Sequence, residues 1–164
     1  MSPAFVLRPE VEADGAFRLA LFRTSRGAIW DQVALPADML AKLMEQQFHA
    51  QTQGYRAAYP DARLEIIEID GAPAGRLATH RDATALHLVD IALTPDRRGR
   101  GVGEAILRAL MAEAAALAVP LTLHVARDNL AAQRLYHRLG FAAVSADATH
   151  LSLLWSATAA ATLA

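Results

Sequence analysis

The chain has 164 residues, a formal net charge of −1 at pH 7, 54% hydrophobic and 20% charged residues, and no cysteine. That length suits one domain with its own core, and the charge balance argues against a broad nucleic-acid surface. Without cysteine there are no disulfides, thiolate metal ligands or cysteinyl-enzyme intermediates.

No apolar run approaches the ~18 residues of a membrane span, and Met1 to Glu10 lacks the apolar core of a signal peptide. A cytoplasmic protein that does not engage a membrane is therefore expected. Phe5-Val6-Leu7-Arg8 is β-prone and Pro9 ends it. From Val11 to about Arg23, Ala16, Phe17, Leu19, Leu21 and Phe22 suggest a helix starting near Asp14-Gly15. Thr24 to Leu35 has mixed polarity and reads as a loop. Pro36 suits the first position of a second helix. Leu40, Leu43, Met44 and Phe48 form its stripe, which weakens near Gln53-Gly54 before Tyr59-Pro60.

Strand signals follow. Leu64-Glu65-Ile66-Ile67-Glu68-Ile69 reads as a strand and stops at Asp70-Gly71, a tight-turn pair that leads to a second strand over 73–79. After Arg81 to Thr84, residues 86–93 (Leu86-His87-Leu88-Val89-Asp90-Ile91-Ala92-Leu93) form a third strand, closed by Thr94-Pro95. The next helix is marked by Ile106, Leu107, Leu110, Met111, Ala114 and Leu117, at spacings of three and four, and ends near Ala118. Leu121 to Val125 is another strand, which a strand–helix–strand connection makes parallel to residues 86–93. Asn129 suits an N-cap, Leu135, Tyr136 and Leu139 follow on one helical side, and Gly140 suits the left-handed residue after the helix. Residues 141–144 and 150–155 read as two closing strands. The domain is expected over 1–156, with 157–164 a fraying tail.

Between the third strand and its helix lies Arg97-Arg98-Gly99-Arg100-Gly101-Val102-Gly103-Glu104. Glycines at alternate positions let backbone N–H groups approach a ligand, the helix start adds unpaired N–H groups, and the arginines add forked phosphate donors. The order strand, glycine turn, helix suits a pyrophosphate-like anion at the carboxyl end of the strand. A P-loop would need Gly-Lys-Ser/Thr where Gly103-Glu104-Ala105 stands, and a dinucleotide fingerprint would need a third glycine where Glu104 stands. Taken alone, the loop also reads as an ordinary turn with solvated arginines.

The spacing Arg98-x-x-Gly101-x-Gly103 resembles the acetyl-coenzyme A signature of the GNAT superfamily of N-acetyltransferases. Asn129-x-x-Ala132-x-x-Leu135-Tyr136-x-x-x-Gly140-Phe141 resembles the family's second signature, one strand further on. The element order matches too, over roughly residues 5–156. The resemblance implies an α/β fold (α+β by some schemes): a mixed central sheet flanked by helices, with two parallel strands splayed at the acetyl-CoA cleft. It implies that Ile91, Ala92 and Leu93 pair through their backbones with the pantetheine arm. Arg98, Gly99, Arg100, Gly101, Val102, Gly103 and Glu104 would then hold the pyrophosphate, Asn129 would bond pantetheine or position the second wall, and Tyr136 would place its hydroxyl near the sulfur.

The chemistry of amine acetylation needs a proton acceptor, an oxyanion partner and a proton donor for the departing thiolate, and no metal. Tyr136 suits the donor, or packs as a helix tyrosine. Asp90 interrupts its apolar strand and reads as base, water-holder or anchor for a cationic acceptor, or as a half-exposed strand carboxylate or one paired with arginine. His124 has the pKa range of a base, but a strand histidine is commonly structural. His87 and His150 have weaker positions, and Glu65 and Glu68 read as solvated-face residues. Trp30, Phe48 and Tyr55 line the acceptor cleft or belong to the core. The expected activity is acetyl transfer from acetyl-CoA to an unidentified primary amine, directly within a ternary complex. The alternative is an acyl-CoA-binding sensor or partner-binding domain without turnover. A homodimer stays open.

Overall fold

The computed structural model describes residues 2–158. Its strands are β1 (Val6–Pro9), β2 (Arg63–Ile69), β3 (Ala72–Arg81), β4 (Leu86–Leu93), β5 (Leu121–Ala126), β6 (Ala142–Ala146) and β7 (His150–Trp155). The helices are α1 (Gly15–Ser25), α2 (Gly27–Trp30), α3 (Ala37–Ala58), α4 (Val102–Ala116) and α5 (Leu130–Arg138). The strands form one mixed sheet in the order β1-β2-β3-β4-β5-β7-β6. By contacts the chain separates into two compact units: a first made of Ala4–Ala78 with Ile91–Arg100, and a second made mainly of Thr79–Asp90 with the chain from Gly101 onward.

In the first unit, β1 pairs antiparallel with β2, from Val6 opposite Glu68 to Pro9 opposite Glu65. A strand that has only one partner tolerates Pro9, whose missing N–H leaves no gap in a ladder. The turn from β2 to β3 places Asp70 and Gly71 at φ of 54° and 76°, the double left-handed bend of a tight hairpin. Helix α1 starts at Gly15, where the Asp14-Gly15 pair places it, and runs on to Ser25. Asp14 is buried and committed: its carboxylate accepts two bonds from Arg8 and one from the Val11 amide, which shapes Glu12–Asp14 as a 3₁₀ turn. The expected loop over 24–35 contains α2, because Trp30 packs with Phe22 and Phe48 in an aromatic core flanked by Leu40, Leu43 and Met44. Pro36 stands just before α3 rather than within it, at ψ 147°. Helix α3 continues through Gly54 to Ala58 until Tyr59, the residue before Pro60, leaves the helical region.

In the second unit, β5 pairs antiparallel with β7 at six positions, from Leu121 opposite Trp155 to Ala126 opposite His150. Strand β6 pairs with β7 across a bulge at Ala143/Ser145. Ile106, Leu107, Leu110 and Ala114 form the buried stripe of α4, and Leu121, Leu123 and Val125 are buried on β5. Gly140 follows α5 at φ 95°, as expected of a left-handed cap. The strand after it starts at Ala142, because Phe141 is buried against Tyr136 instead. The expectation of a fraying tail concerns residues of which 159–164 lie outside the described ones. No helix of the described residues is long and apolar enough to cross a membrane.

Candidate active site

The parallel ladder between β4 and β5 is short. It joins Leu86 to Leu121, His87 to Thr122 and Leu88 to Leu123. Val89 and Asp90 prolong β4 within the second unit, and His124 to Ala126 prolong β5, without adding a rung. Two parallel strands that stop pairing before they end leave backbone N–H and C=O groups open to another extended chain.

Helix α4 begins beyond this point, and its start is unusual. Gly101 takes the N-cap position at φ 80°, ψ 2°, left-handed, and gives no side-chain cap. The first intrahelical rung is Ala105 N–H to the Gly101 carbonyl, 3.0 Å. The amides of Val102, Gly103 and Glu104 therefore have no acceptor among the described residues, at the positive end of the helix dipole. The Glu104 side chain turns away from them to Arg108 and Arg138, each at 2.9 Å. These two arginines, Arg138 first, hold its carboxyl below the usual glutamate range. A negative charge at the helix start is thereby neutralised locally.

The three arginines of the loop, which belong to the first unit, divide by role. Arg97 faces Asp96 at 3.3 Å and Asp70 at 3.8 Å. Arg98 turns back and donates from Nε to the Leu93 carbonyl, 2.9 Å. The Arg100 side chain makes no hydrogen bond or ion pair with the described residues, so it is the loop cation left available to an anion. Gly99, at φ 68°, has open space where a side chain would stand.

At the end of β4, Gly75 on β3 lets the chain come unusually close. A Cβ there would overlap the Ala92 carbonyl oxygen and lie 2.8 Å from Leu93 Cδ2. The Thr94 amide also donates to the Ala74 carbonyl, 2.8 Å. Ala92 and Thr94 thus direct backbone groups toward β3, and by strand alternation Ile91 and Leu93 direct theirs to the other edge. Gly75 was not a candidate from sequence; a lone glycine inside a β-pattern was the signal for a close backbone approach.

Helix α5 places Tyr136. Asn129 caps this helix, its Oδ1 accepting from the Ala132 amide at 3.2 Å, which leaves the exposed amide N–H₂ free of that duty. Tyr136 is 8% exposed, and its ring packs on Phe141 with centroids 5.6 Å apart. Burial, and then the negative charge of Asp90, push its phenol above the ordinary tyrosine value. The structure thus brings Asp90 and Tyr136 within each other's field, inside one unit. A phenol so placed stays protonated across the neutral range and can give a proton, not take one.

The histidines have structural partners. His87 Nδ1 meets Thr122 Oγ1 at 2.8 Å, His124 Nδ1 meets Ser152 Oγ at 2.9 Å, and the two rings stack edge to face at 5.2 Å. Burial, and then the neighbouring His124, lower the pKa of His87. His150 bonds within the turn at Asp147 to Thr149. Glu68 is ion-paired with Arg8 and Glu65 with Arg63, so neither is a simply solvated carboxylate. Trp30 and Phe48 are core, and Tyr55 is half-buried on α3. No group of three or more His, Asp or Glu among the described residues is placed to hold a metal ion.

Known proteins resemble this chain in sequence and in fold. The Acetyltransferase (GNAT) family matches residues 33–141. An uncharacterized N-acetyltransferase of Methanocaldococcus jannaschii is 30% identical over 90 residues, which are 54% of this chain and 57% of that relative. The chain thus spans little more than half the length of this curated relative. Among solved structures, the PaiA N-acetyltransferase of Thermoplasma acidophilum, in complex with coenzyme A, superposes with TM-score 0.70 at 13% identity, over 93% of this chain and 99% of that one. The yncA protein of Salmonella typhimurium, with its cofactor acetyl-CoA, gives TM-score 0.56 at 18% identity over 92% of each chain. At such identities the structural likeness is one of fold. The family match, which covers well over half of the sequence and runs through both the glycine loop and the Tyr136 helix, carries the assignment: the chain belongs to the Acetyltransferase (GNAT) family.

Proposed function

We propose that this chain is an N-acetyltransferase that moves the acetyl group of acetyl-CoA to a primary amine by direct transfer in a ternary complex. The observation that carries this reading is the buried Tyr136 phenol in the field of Asp90, in the same unit as an α4 start whose amides are unpaired. The family match from 33 to 141 supports reading these residues as part of one acetyltransferase domain, which we take as 1–156. Acetyl-CoA, when bound, supplies the thioester and the thiolate leaving group.

The residues fit such a ligand. In the second unit, the amides of Val102, Gly103 and Glu104 hold the pyrophosphate, with Gly101 keeping the helix start free of a side chain. In the first unit, Arg100 is the loop guanidinium left available to an anion. The backbone groups of Ile91 and Leu93 take the pantetheine arm as a strand partner would, while Arg98 fixes the Leu93 carbonyl. Ala92 contributes through its seat on Gly75. In the second unit, the Asn129 amide N–H₂ is the candidate pantetheine donor. Asp90 removes a proton from the acceptor ammonium or anchors that cation, and Tyr136 gives its proton to the departing sulfur. Free thiol released from acetyl-CoA in a panel of primary amines tests the reading. Turnover with at least one amine supports it; saturable coenzyme A binding with no thiol release across the panel supports a sensor instead.

A further inference from the structure

The first unit contains a cavity of about 750 Å³ that acetyl transfer leaves unused. It lies beside the start of α1, the C-terminal half of α3 and Leu64 on β2. Leu64 is three residues before Ile67, the β2 residue next to Gly75 at the end of β4, so the cavity sits about 10 Å along the strand from that end.

Its inner wall is a guanidinium with too few partners. The Arg18 side chain is 10% exposed, and of the five N–H donors a guanidinium carries, the described residues take one: Nη2 donates to Thr52 Oγ1 at 3.4 Å. Its Nε lies 3.1 Å from Glu10 Oε1, yet out of line for a hydrogen bond, so that proton has no acceptor. The other Glu10 oxygen accepts from Arg76 Nε at 2.7 Å, so one buried carboxylate serves two buried guanidiniums. Asp14, the other carboxylate felt by Arg18, is taken up by Arg8 through two bonds. Arg56 lines the same cavity from the last turn of α3 and makes no hydrogen bond or ion pair with the described residues. Phe48 stands beneath Arg18, its ring centroid 5.3 Å from Cζ, and Leu19 and Leu64 add apolar wall. Glu12 and Glu45 stand exposed at the rim, Glu45 3.7 Å from His49.

Guanidinium donors without acceptors call for oxygens, and Arg18 and Arg56 both line the cavity with donors that the described residues do not use. We propose that this cavity is a second ligand site that binds a small organic carboxylate, with its oxygens on Arg18, Arg56 and Thr52 and its apolar body against Phe48, Leu19 and Leu64. Burial disfavours the charged form of Arg18, Glu10 opposes this, and the nearby Arg76 and Arg56 add to it; the negative charge of a bound carboxylate offsets these effects. A dianionic phosphate suits the site less, because it would meet the rim carboxylates and has nothing to offer the apolar walls.

The test titrates sodium hexanoate into the full chain at constant ionic strength, following the melting temperature and calorimetric heat, with hexylamine and inorganic phosphate in parallel. Hexanoate should raise the melting temperature saturably. Hexylamine should give no shift, and phosphate a weaker one than hexanoate. Arg56→Ala removes an exposed, unpaired side chain, so it should melt as the wild type does without ligand, yet bind hexanoate about tenfold more weakly for want of one charge-assisted bond. Arg18→Gln should lose the response altogether while still binding coenzyme A. A non-saturating response, an equal response to hexylamine, tighter binding of phosphate, or unchanged hexanoate affinity in Arg56→Ala would overturn the assignment.

Discussion

Two helices of the second unit begin in opposite ways. Helix α5 follows the ordinary solution: Asn129 turns its side-chain oxygen onto the Ala132 amide and closes the open end. Helix α4 has a glycine where the cap belongs, in a left-handed conformation, and its first amides have no acceptors among the described residues. Both starts occur inside sequence motifs of the family, so motif membership alone does not separate them. The difference lies in what is withheld. A helix start that satisfies itself serves the fold, and one that omits a cap of about 1 kcal/mol keeps its donors for a ligand.

Changes at Gly101 should break the contrast most severely. Gly101→Val places a β-branched side chain at φ 80°, where such residues are strained. Coenzyme A binding by calorimetry should become undetectable. Gly101→Asn tolerates the left-handed backbone and should weaken coenzyme A by about tenfold or more, through bulk rather than strain. Arg100→Ala should weaken it less than either. Equal affinities in wild type and Gly101→Val would remove the anion-binding role of this helix start.

Asp90→Asn sharpens the chemistry near the other helix. If Asp90 deprotonates the acceptor, kcat should fall most at low pH with the acetyl-CoA KM unchanged; if it anchors the acceptor, the acceptor KM should rise instead. Either way, removing its charge should lower the phenol pKa of Tyr136 toward the ordinary value of about 10, read as phenolate absorbance against a Tyr136→Phe background. The sign for stability follows. A phenol with a raised folded pKa stabilises the fold below about pH 10 and loses that contribution as pH rises through the raised value. Asp90→Asn should therefore narrow the alkaline window over which the contribution fades.

Asn129→Ala carries the smallest effect. It uncaps α5, and should cost about 1 kcal/mol of stability in a denaturant titration. Coenzyme A affinity should change by less than about threefold, since only the exposed amide N–H₂ is lost to the ligand. A loss as large as that of Gly101→Asn would mean that the Asn129 start is as much a ligand site as the α4 start.

These contrasts also explain what the sequence could reveal. The left-handed glycines at 99, 101 and 140, the Asp70-Gly71 hairpin and the Asn129 cap are local devices, written in consecutive residues. The tyrosine at 136 was legible through its motif. What was not legible depends on residues far apart in the chain. The Arg138 bond to Glu104 spans 34 positions. The closeness of Gly75 to Ala92 and the early end of the β4–β5 ladder are properties of paired strands, not of either strand alone. The roles of Arg97, Arg98 and Arg100 separate only when Asp70 and the Leu93 carbonyl are in place. Helix α2 was missed because four residues are too few for a period, and Trp30 is held there by Phe22 and Phe48 rather than by propensity.

The most direct test of acetyl transfer with Tyr136 as the acid is kcat for an accepted amine, measured beside calorimetric binding of coenzyme A, for wild type and Tyr136→Phe. The phenylalanine keeps the ring on Phe141 and the buried packing, so the fold should persist. The account predicts a fall in kcat of about 10²–10⁴-fold, as expected when a general acid is removed. The coenzyme A dissociation constant should change by less than about tenfold, the scale of one neutral hydrogen bond. Unchanged kcat, with thiol release shown to be rate-limiting, would contradict the account and leave Tyr136 as packing.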